Sequence, residues 1–264
     1  MTMPLTHITL TESARVAEVR LNRPEARNAM SQALMQELTT TAQALAQRSD
    51  IDVVLLTGTG PCFTAGADLK EGRAWADGTQ PLVAKRERAA IGYRMCRAWE
   101  DLPQISIVAI EGFAVGGGLA LSLACDWRVL AEDAFVSLPE IALGIPLTWG
   151  AIPRLVALVG PARAKRLTIL CERVAAVDAL AMGLVDYTAP SGQALSRARQ
   201  VAEQVLTMPA HAVRMSKETA NAVATALHHL GGHMAHDQIM LAAASAEAQT
   251  ARTHAFKPAD KPAL

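Results

Sequence analysis

Residues Gly112–Asp126 read "GFAVGGGLALSLACD", and the reading of this stretch decides the fold. It joins the β-branched run "QISIVAIEG" (Gln104–Gly112) to the helix-like "LALSLACD" (Leu119–Asp126). Gly116, Gly117 and Gly118 stand at the junction. Glycine carries the most backbone entropy and no side chain to pack, so it weakens strands and helices alike. It suits a place where the chain turns sharply and backbone N–H groups must come close to something else. A helix start there adds unpaired donors and the positive end of the helix dipole.

A second junction of the same layout lies upstream. "DVVLLTG" (Asp52–Gly58) is a buried strand, and the glycine-rich "TGTGPCFTAGADL" (Thr57–Leu69) follows it. Two such turns from different strands can aim two N–H groups at one oxygen, which is an oxyanion hole. Other readings compete. A dinucleotide fingerprint has Gly58 and Gly60, but Phe63 stands where its third glycine belongs. The "GK[ST]" of a P-loop is absent. Simple close packing of helix on strand, enabled by Gly116–Gly118, stays open at this point.

Outward from these junctions, strands and helices alternate, which argues α/β. "HITL" and "ARVAEVRL", separated by Glu12–Ser13, predict an opening hairpin. "NRPEARNAMS" is a loop, and Leu34, Leu38, Ala42 and Leu45 then recur at helical spacing with Asn28 or Ser31 as cap. Residues 72–92 read as a polar, irregular, mobile loop. "WRVL" and "AFVSLPE" are two short strands. From Ser191 onward "ALSRARQVAEQVLTM", "PAHAVRMSKETANAVATALHHL" and "HMAHDQIMLAAASAEAQTARTHAF" are helical, with Pro209 at a first helical position and Gly231–Gly232 as a break. The expected organisation is a core over 1–190 and a helical oligomerisation subdomain over 191–264.

A chain of 264 residues buries about 70–75% of its unfolded surface without a disulfide or metal staple. Hydrophobic residues are 51%, charged 19% and aromatic only 4%, so Ala, Leu, Val and Ile build the core. Lys plus Arg equals Asp plus Glu, 25 each, which argues against a broad nucleic-acid footprint. Cys62, Cys96, Cys125 and Cys171 form no CxxC pair and read as reduced thiols. The N-terminus lacks a basic then apolar leader, and the longest apolar run is too short and glycine-rich to span a bilayer. A cytoplasmic protein is the expectation.

Several motifs occur in one order: "RPEARNAM", "GPCFTAGADLKE", "IEGFAVGGGLALSLACDWRVLAEDA", "LPEIALGI" and "VGPARAKRLTILCERVAAVDALAMGLVD". Together they resemble the crotonase superfamily, the enoyl-CoA hydratase/isomerase family, over about Leu21–Asp186. The resemblance implies a spiral of repeated ββα units followed by helices that build trimers or dimers of trimers. It implies an acyl-CoA thioester substrate, with coenzyme A part of the substrate and no separate cofactor, no nucleic acid and no membrane. The implied oxyanion donors are the backbone N–H groups of Ala67 and Gly117, with Ala65, Gly66 and Gly116 beside them in the pocket.

Family hydratases carry two glutamates. The resemblance puts one at Glu140, in the "PE" dipeptide, and the other at the position of Ala120. Alanine has no proton to give or take. Two carboxylates position and activate one water, whereas one can take a proton from a conjugated system and return it to another carbon. The resemblance thus points to an enoyl-CoA isomerase. Hydration by a single or relocated acid, from Asp68, Glu71, Asp77 or Glu87, and a non-catalytic acyl-CoA binder are the alternatives. A second departure is "LGIPLTWGAIPRL", which puts Thr148 and Trp149 at the acyl end of the pocket, Trp149 either reshaping it or filling core volume. Arg27, Lys70, Phe256 and Lys261 are implied CoA contacts, with Arg23 and Lys257 nearby. His228, His229, His233 and His236 cluster near the end, and no metal is expected there.

Overall fold

The computed structural model describes residues 5–73, 81–226 and 235–255. Its chain opens with the antiparallel hairpin of β1 (Ile8–Ser13) and β2 (Val16–Leu21). Glu12 and Ser13 belong to β1; the turn is Ala14–Arg15, because Ser13 pairs directly with Val16 and leaves only two residues to close the loop. Ala14 takes the turn at φ 51°, a conformation that a residue with a Cβ adopts at a cost of about 1–2 kcal/mol. Helix α1 (Gln32–Ala46) follows, and of the two expected caps Ser31 is the one used, accepting from the Leu34 N–H at 3.2 Å.

β3 (Val53–Gly58) lies parallel between β2 and a later strand. Residues 82–92 do not form the irregular loop expected there. After the short α2 (Leu69–Arg73) come α3 (Leu82–Ala89) and α4 (Ile91–Glu100). Pro81 stands at the α3 N-cap and "LVAKRERA" has no helix breaker inside it. α4 packs against α1 and buries Met95, Cys96 and Trp99. Full burial contributes about 1.5–3 kcal/mol for each large apolar side chain of this kind.

Next come β4 (Ile105–Ile110), β5 (Phe113–Val115), α5 (Gly117–Ser122), β6 (Trp127–Ala131) and β7 (Phe135–Ser137). α6 (Ala151–Leu170) follows, with a kink at Gly160 (φ 77°, ψ 164°), and then β8 (Val174–Ala175), α7 (Ala176–Ala181) and β9 (Tyr187–Ala189). The large sheet has the order β1-β2-β3-β4-β6-β9, parallel from β2 onward. The small sheet has the order β5-β7-β8. The ββα repeat is visible in this wiring. β4 and β6 enter the large sheet, their successors β5 and β7 pair in the small one, and a helix returns the chain. β4 is buried along its whole length, as a parallel strand covered on both faces must be.

α8 (Ala194–Leu206) covers the large sheet at β3, β4 and β6, burying Ala194, Ala198, Val201 and Ala202. α9 (Ala210–Ala224) starts one residue after Pro209, which is its N-cap. The last expected helix is two, α10 (Ala235–Ala243) and α11 (Ala246–Ala255), because Ser245 caps the second by accepting from the Ala248 N–H at 3.1 Å. α10 packs on α3, and α11 packs on the turn at 141–143. Among the described residues no helix is long and apolar enough to cross a membrane.

Candidate active site

The first glycine-rich loop is held by Asn28, a fully buried residue at φ 53°. Its Nδ2 donates to the carbonyls of Thr59, Cys62 and Phe63 at 2.9, 3.1 and 3.0 Å. Its own carbonyl accepts from Thr64 Oγ1 at 2.6 Å. The loop then pairs on both sides. Thr64 bridges Ala114 of β5, and Ala67 bridges Met30. In the second bridge the Met30 N–H donates to Gly66 O (2.8 Å) and the Asp68 N–H to Met30 O (3.1 Å). The N–H of Ala67 therefore points away from Met30, and among the described residues it has no protein acceptor. Gly66 sits at φ 86°, and a Cβ there would stand 2.4 Å from Val115 O and 3.4 Å from Gly117 N. This close approach sets the Ala67 loop against the start of α5.

At the second loop, Gly116 N–H prolongs the small sheet by donating to Ser137 O at 2.8 Å. Gly116 then turns the chain at φ 55°, ψ −119°, a region only glycine enters readily. Gly117 begins α5, so its N–H is one of the donors a helix leaves without an internal partner. Gly116 and Gly117 are buried, as are Gly66 and Ala120, while Ala65 and Ala67 are partly exposed. The Ala65 N–H is used, donating to Arg27 O at 3.0 Å. The two expected N–H donors, Ala67 and Gly117, thus have no acceptor among the described residues and lie on touching loops.

Glu140 packs against the second glycine turn. Its Oε1 lies 2.6 Å from where a Cβ on Gly116 would be, so the bare Cα of Gly116 makes room for the carboxylate. Its Oε2 is buried and has no hydrogen-bond partner among the described residues. Burial raises the carboxyl from 4.5 to about 7, against a smaller opposing pull from its own backbone amide. A carboxyl with such a value holds and releases a proton near neutral pH. Its backbone starts the turn at 141–143, and that turn is pressed by α11: a Cβ at Gly144 would meet Ala248 Cα at 2.6 Å.

Thr148 and Trp149 are buried beside this turn, Trp149 at φ 58°. The indole rests on Gly117, where a Cβ would stand 2.2 Å from Cζ3. On its other side is Gly92 of α4, which the motif reading did not single out. A lone glycine inside a helical segment is the available signal, since it weakens the helix by about 1 kcal/mol relative to Ala unless something packs on it. Arg154 and Glu100, a buried pair at 2.8 Å that supports the Trp149–Gly150 turn, were equally invisible at the level of motifs.

The loop carboxylates among the described residues are engaged elsewhere. Glu71 Oε2 accepts from the Gln32 N–H at 2.9 Å and so caps α1, Asp68 pairs with Arg23 at 3.1 Å, and Glu87 pairs with Arg94 at the surface. Arg27 and Lys70 are exposed at the rim of the first loop, Arg27 tied there through its carbonyl. Asp77, His228, His229, His233, Phe256, Lys257 and Lys261 lie outside the described residues, as does the side chain of His236.

The profile of the enoyl-CoA hydratase/isomerase family matches residues 11–262. The short-chain-enoyl-CoA hydratase of Clostridium acetobutylicum is 31% identical over 83% of this chain and 82% of its own length. The putative enoyl-CoA hydratase/isomerase YngF of Bacillus subtilis is 37% identical over 80% and 79%. The crystal structure of an enoyl-CoA hydratase from Mycobacterium avium subsp. paratuberculosis superposes with a TM-score of 0.86 at 26% identity, covering 96% of this chain and all of the other. With the fold, the paired glycine turns and these similarities in agreement, the chain belongs to the enoyl-CoA hydratase/isomerase family.

Proposed function

We propose that this protein is an enoyl-CoA isomerase that works by enolate chemistry with Glu140 as its one proton carrier. The observation that carries the reading is the Glu140 carboxylate, with its buried, unpartnered Oε2, set over Gly116 beside the free N–H of Gly117. The thioester oxygen of a 3-enoyl-CoA accepts from the N–H groups of Ala67 and Gly117. Glu140 takes a proton from C2, the electron pair moves onto the oxygen as a dienolate, and the two donors hold that charge. Glu140 then returns the proton to C4, and the double bond ends between C2 and C3. Ala120, small and buried, offers no second carboxylate for water activation. Arg27 and Lys70 are the cations we assign to the CoA phosphates, and no cofactor beyond the substrate's own CoA takes part.

The names of the relatives favour a second reading, hydration of a 2-enoyl-CoA, and one assay separates the two. Purified protein is given short 3-enoyl-CoA and 2-enoyl-CoA thioesters, and products are resolved by chromatography. Isomerisation of the former, with a rate that rises with pH through about 7 as Glu140 loses its proton, supports the isomerase. Conversion of the 2-enoyl-CoA to a 3-hydroxyacyl-CoA without isomerisation would replace it by the hydratase.

The assembly we propose is a trimer or a dimer of trimers. α9 buries only Lys217 and leaves Met215 and Val223 exposed, and an open groove runs over Met215, Ser216, Thr219, Ala220 and Val223. A helix with this much uncovered apolar surface fits a second copy. Sedimentation velocity at micromolar concentration is expected to give three or six times the 28.0 kDa chain mass; a single species at one chain mass would refute it.

A further inference from the structure

Trp149 is held between two glycines of separate helices. A Cβ at Gly92 would stand 2.0 Å from Cε2 and 2.2 Å from Nε1, and a Cβ at Gly117 would stand 2.2 Å from Cζ3 and 2.6 Å from Cη2. The pyrrole side of the ring therefore rests on α4 and the outer benzo rim on α5, and only glycine at both places lets it enter. The backbone beneath is tense: Trp149 at φ 58° and Gly150 at φ 69° are successive left-handed residues. Arg154 Nη1 fixes that turn by donating to both carbonyls, at 3.0 and 3.1 Å. Glu100, at the end of α4, holds Arg154 in turn through two bonds of 2.8 Å.

This construction turns an apolar rim toward the reacting region. The one polar atom of the indole, Nε1, lies on the α4 side, so the rim over Gly117 offers water no bond. Gly117 and Ala120 are one turn apart on one face of α5, and Ala120 is 1% exposed. A water held there needs two to four polar partners. Alanine and a benzo rim supply none, and the Gly117 N–H is one donor, short of the two that a water needs.

We infer that Trp149 is a specificity-determining residue that keeps water from the Gly117–Ala120 side of the site, so that the enolate is resolved by proton return from Glu140 and not through hydration. The inference rests on the enolate reading above. It also assigns Gly92, Arg154 and Glu100 as positioning residues that act through the indole.

The test compares wild type, Ala120→Glu, Trp149→Ala and the Trp149→Ala/Ala120→Glu double variant. Two rates are measured: hydration of a short 2-enoyl-CoA, and exchange of the C2 protons of a saturated short-chain acyl-CoA in deuterated water by NMR. Ala120→Glu alone should leave hydration within about threefold of wild type, because the indole still fills the face that the new carboxylate and its water need. The double variant should hydrate at least about tenfold faster than Ala120→Glu, a non-additive gain that loss of packing alone does not produce. Equal hydration in the two would overturn the role of Trp149. Absence of proton exchange in the wild type would overturn the enolate reading instead, while the ratio between the two Ala120→Glu forms still decides whether the indole excludes water. If the alanine forms do not fold by circular dichroism, Trp149→Phe, which keeps one ring and removes the outer rim, replaces Trp149→Ala. A hydration ratio of one between Trp149→Phe/Ala120→Glu and Ala120→Glu then overturns the proposal.

Discussion

Glu140→Gln is expected to lower kcat for double-bond migration by about 10²–10⁴-fold, the range that a positioned general acid–base contributes. Acyl-CoA binding, read by calorimetry, should stay within several-fold, because glutamine keeps the shape of the side chain over Gly116. The same variant has a second signature in stability. The folded-state carboxyl titrates near 7 against an ordinary 4.5, so the site favours the protonated form. A raised value of this kind contributes stability that is fully present below about 4.5 and is lost as pH rises through about 7. Above 7 the parent must hold a charge in a place that disfavours it, at a cost on the order of 3 kcal/mol. Glutamine carries no charge, so the variant should melt a few degrees above the parent at pH 8 and show no such advantage at pH 4.5. Unchanged activity in the folded variant would show that Glu140 is not the base.

Ala67→Pro is the second large effect. Proline removes the N–H, and although its ring also fixes φ and crowds Gly66, the bridge to Met30 keeps its two bonds, through the carbonyl of Gly66 and the N–H of Asp68. Losing one oxyanion donor lowers kcat by about 10²–10³-fold. The melting temperature is measured alongside to separate a local loss of the donor from a loss of fold, and Ala67→Gly, which keeps the N–H, should retain activity within several-fold. Ala67 is the cleaner of the two donors to probe. Any side chain at Gly117 drives into the Trp149 ring, so Gly117→Pro removes a donor and displaces the indole together. Near-normal kcat in folded Ala67→Pro would remove Ala67 from the oxyanion hole.

The covered strands were legible because burial on both faces leaves a continuous apolar run: "DVVLLTG" and "QISIVAIEG" became β3 and β4 with little shift in bounds. α1 was legible through its spacing and its Ser31 cap. The two glycine junctions were legible as a pair because each repeats the order strand, glycine, helix. What local pattern could not carry was any feature whose cause lies far away in the chain. α3 buries no residue fully, so its polar run gave no apolar period to read and looked like a loop. Glu71 looked free to serve as an acid, yet the N-terminus of α1 claims it from 39 residues away.

The site divides the same way. Composition and spacing determined the α/β class and two glycine-rich turns that each follow a buried strand, and it was the family resemblance that singled out the carboxylate of the "PE" dipeptide. Only the tertiary structure decided that this carboxylate is buried, with no hydrogen-bond partner for Oε2 among the described residues, because the chain packs it against the bare Cα of Gly116. Only the tertiary structure decided where Trp149 goes, because two glycines on separate helices open the slot and a buried Arg154–Glu100 pair fixes the turn. Periodicity reports which face of a segment is covered. Desolvation and sub-van-der-Waals exclusion belong to groups from distant segments brought together, and they come into being when the segments pack.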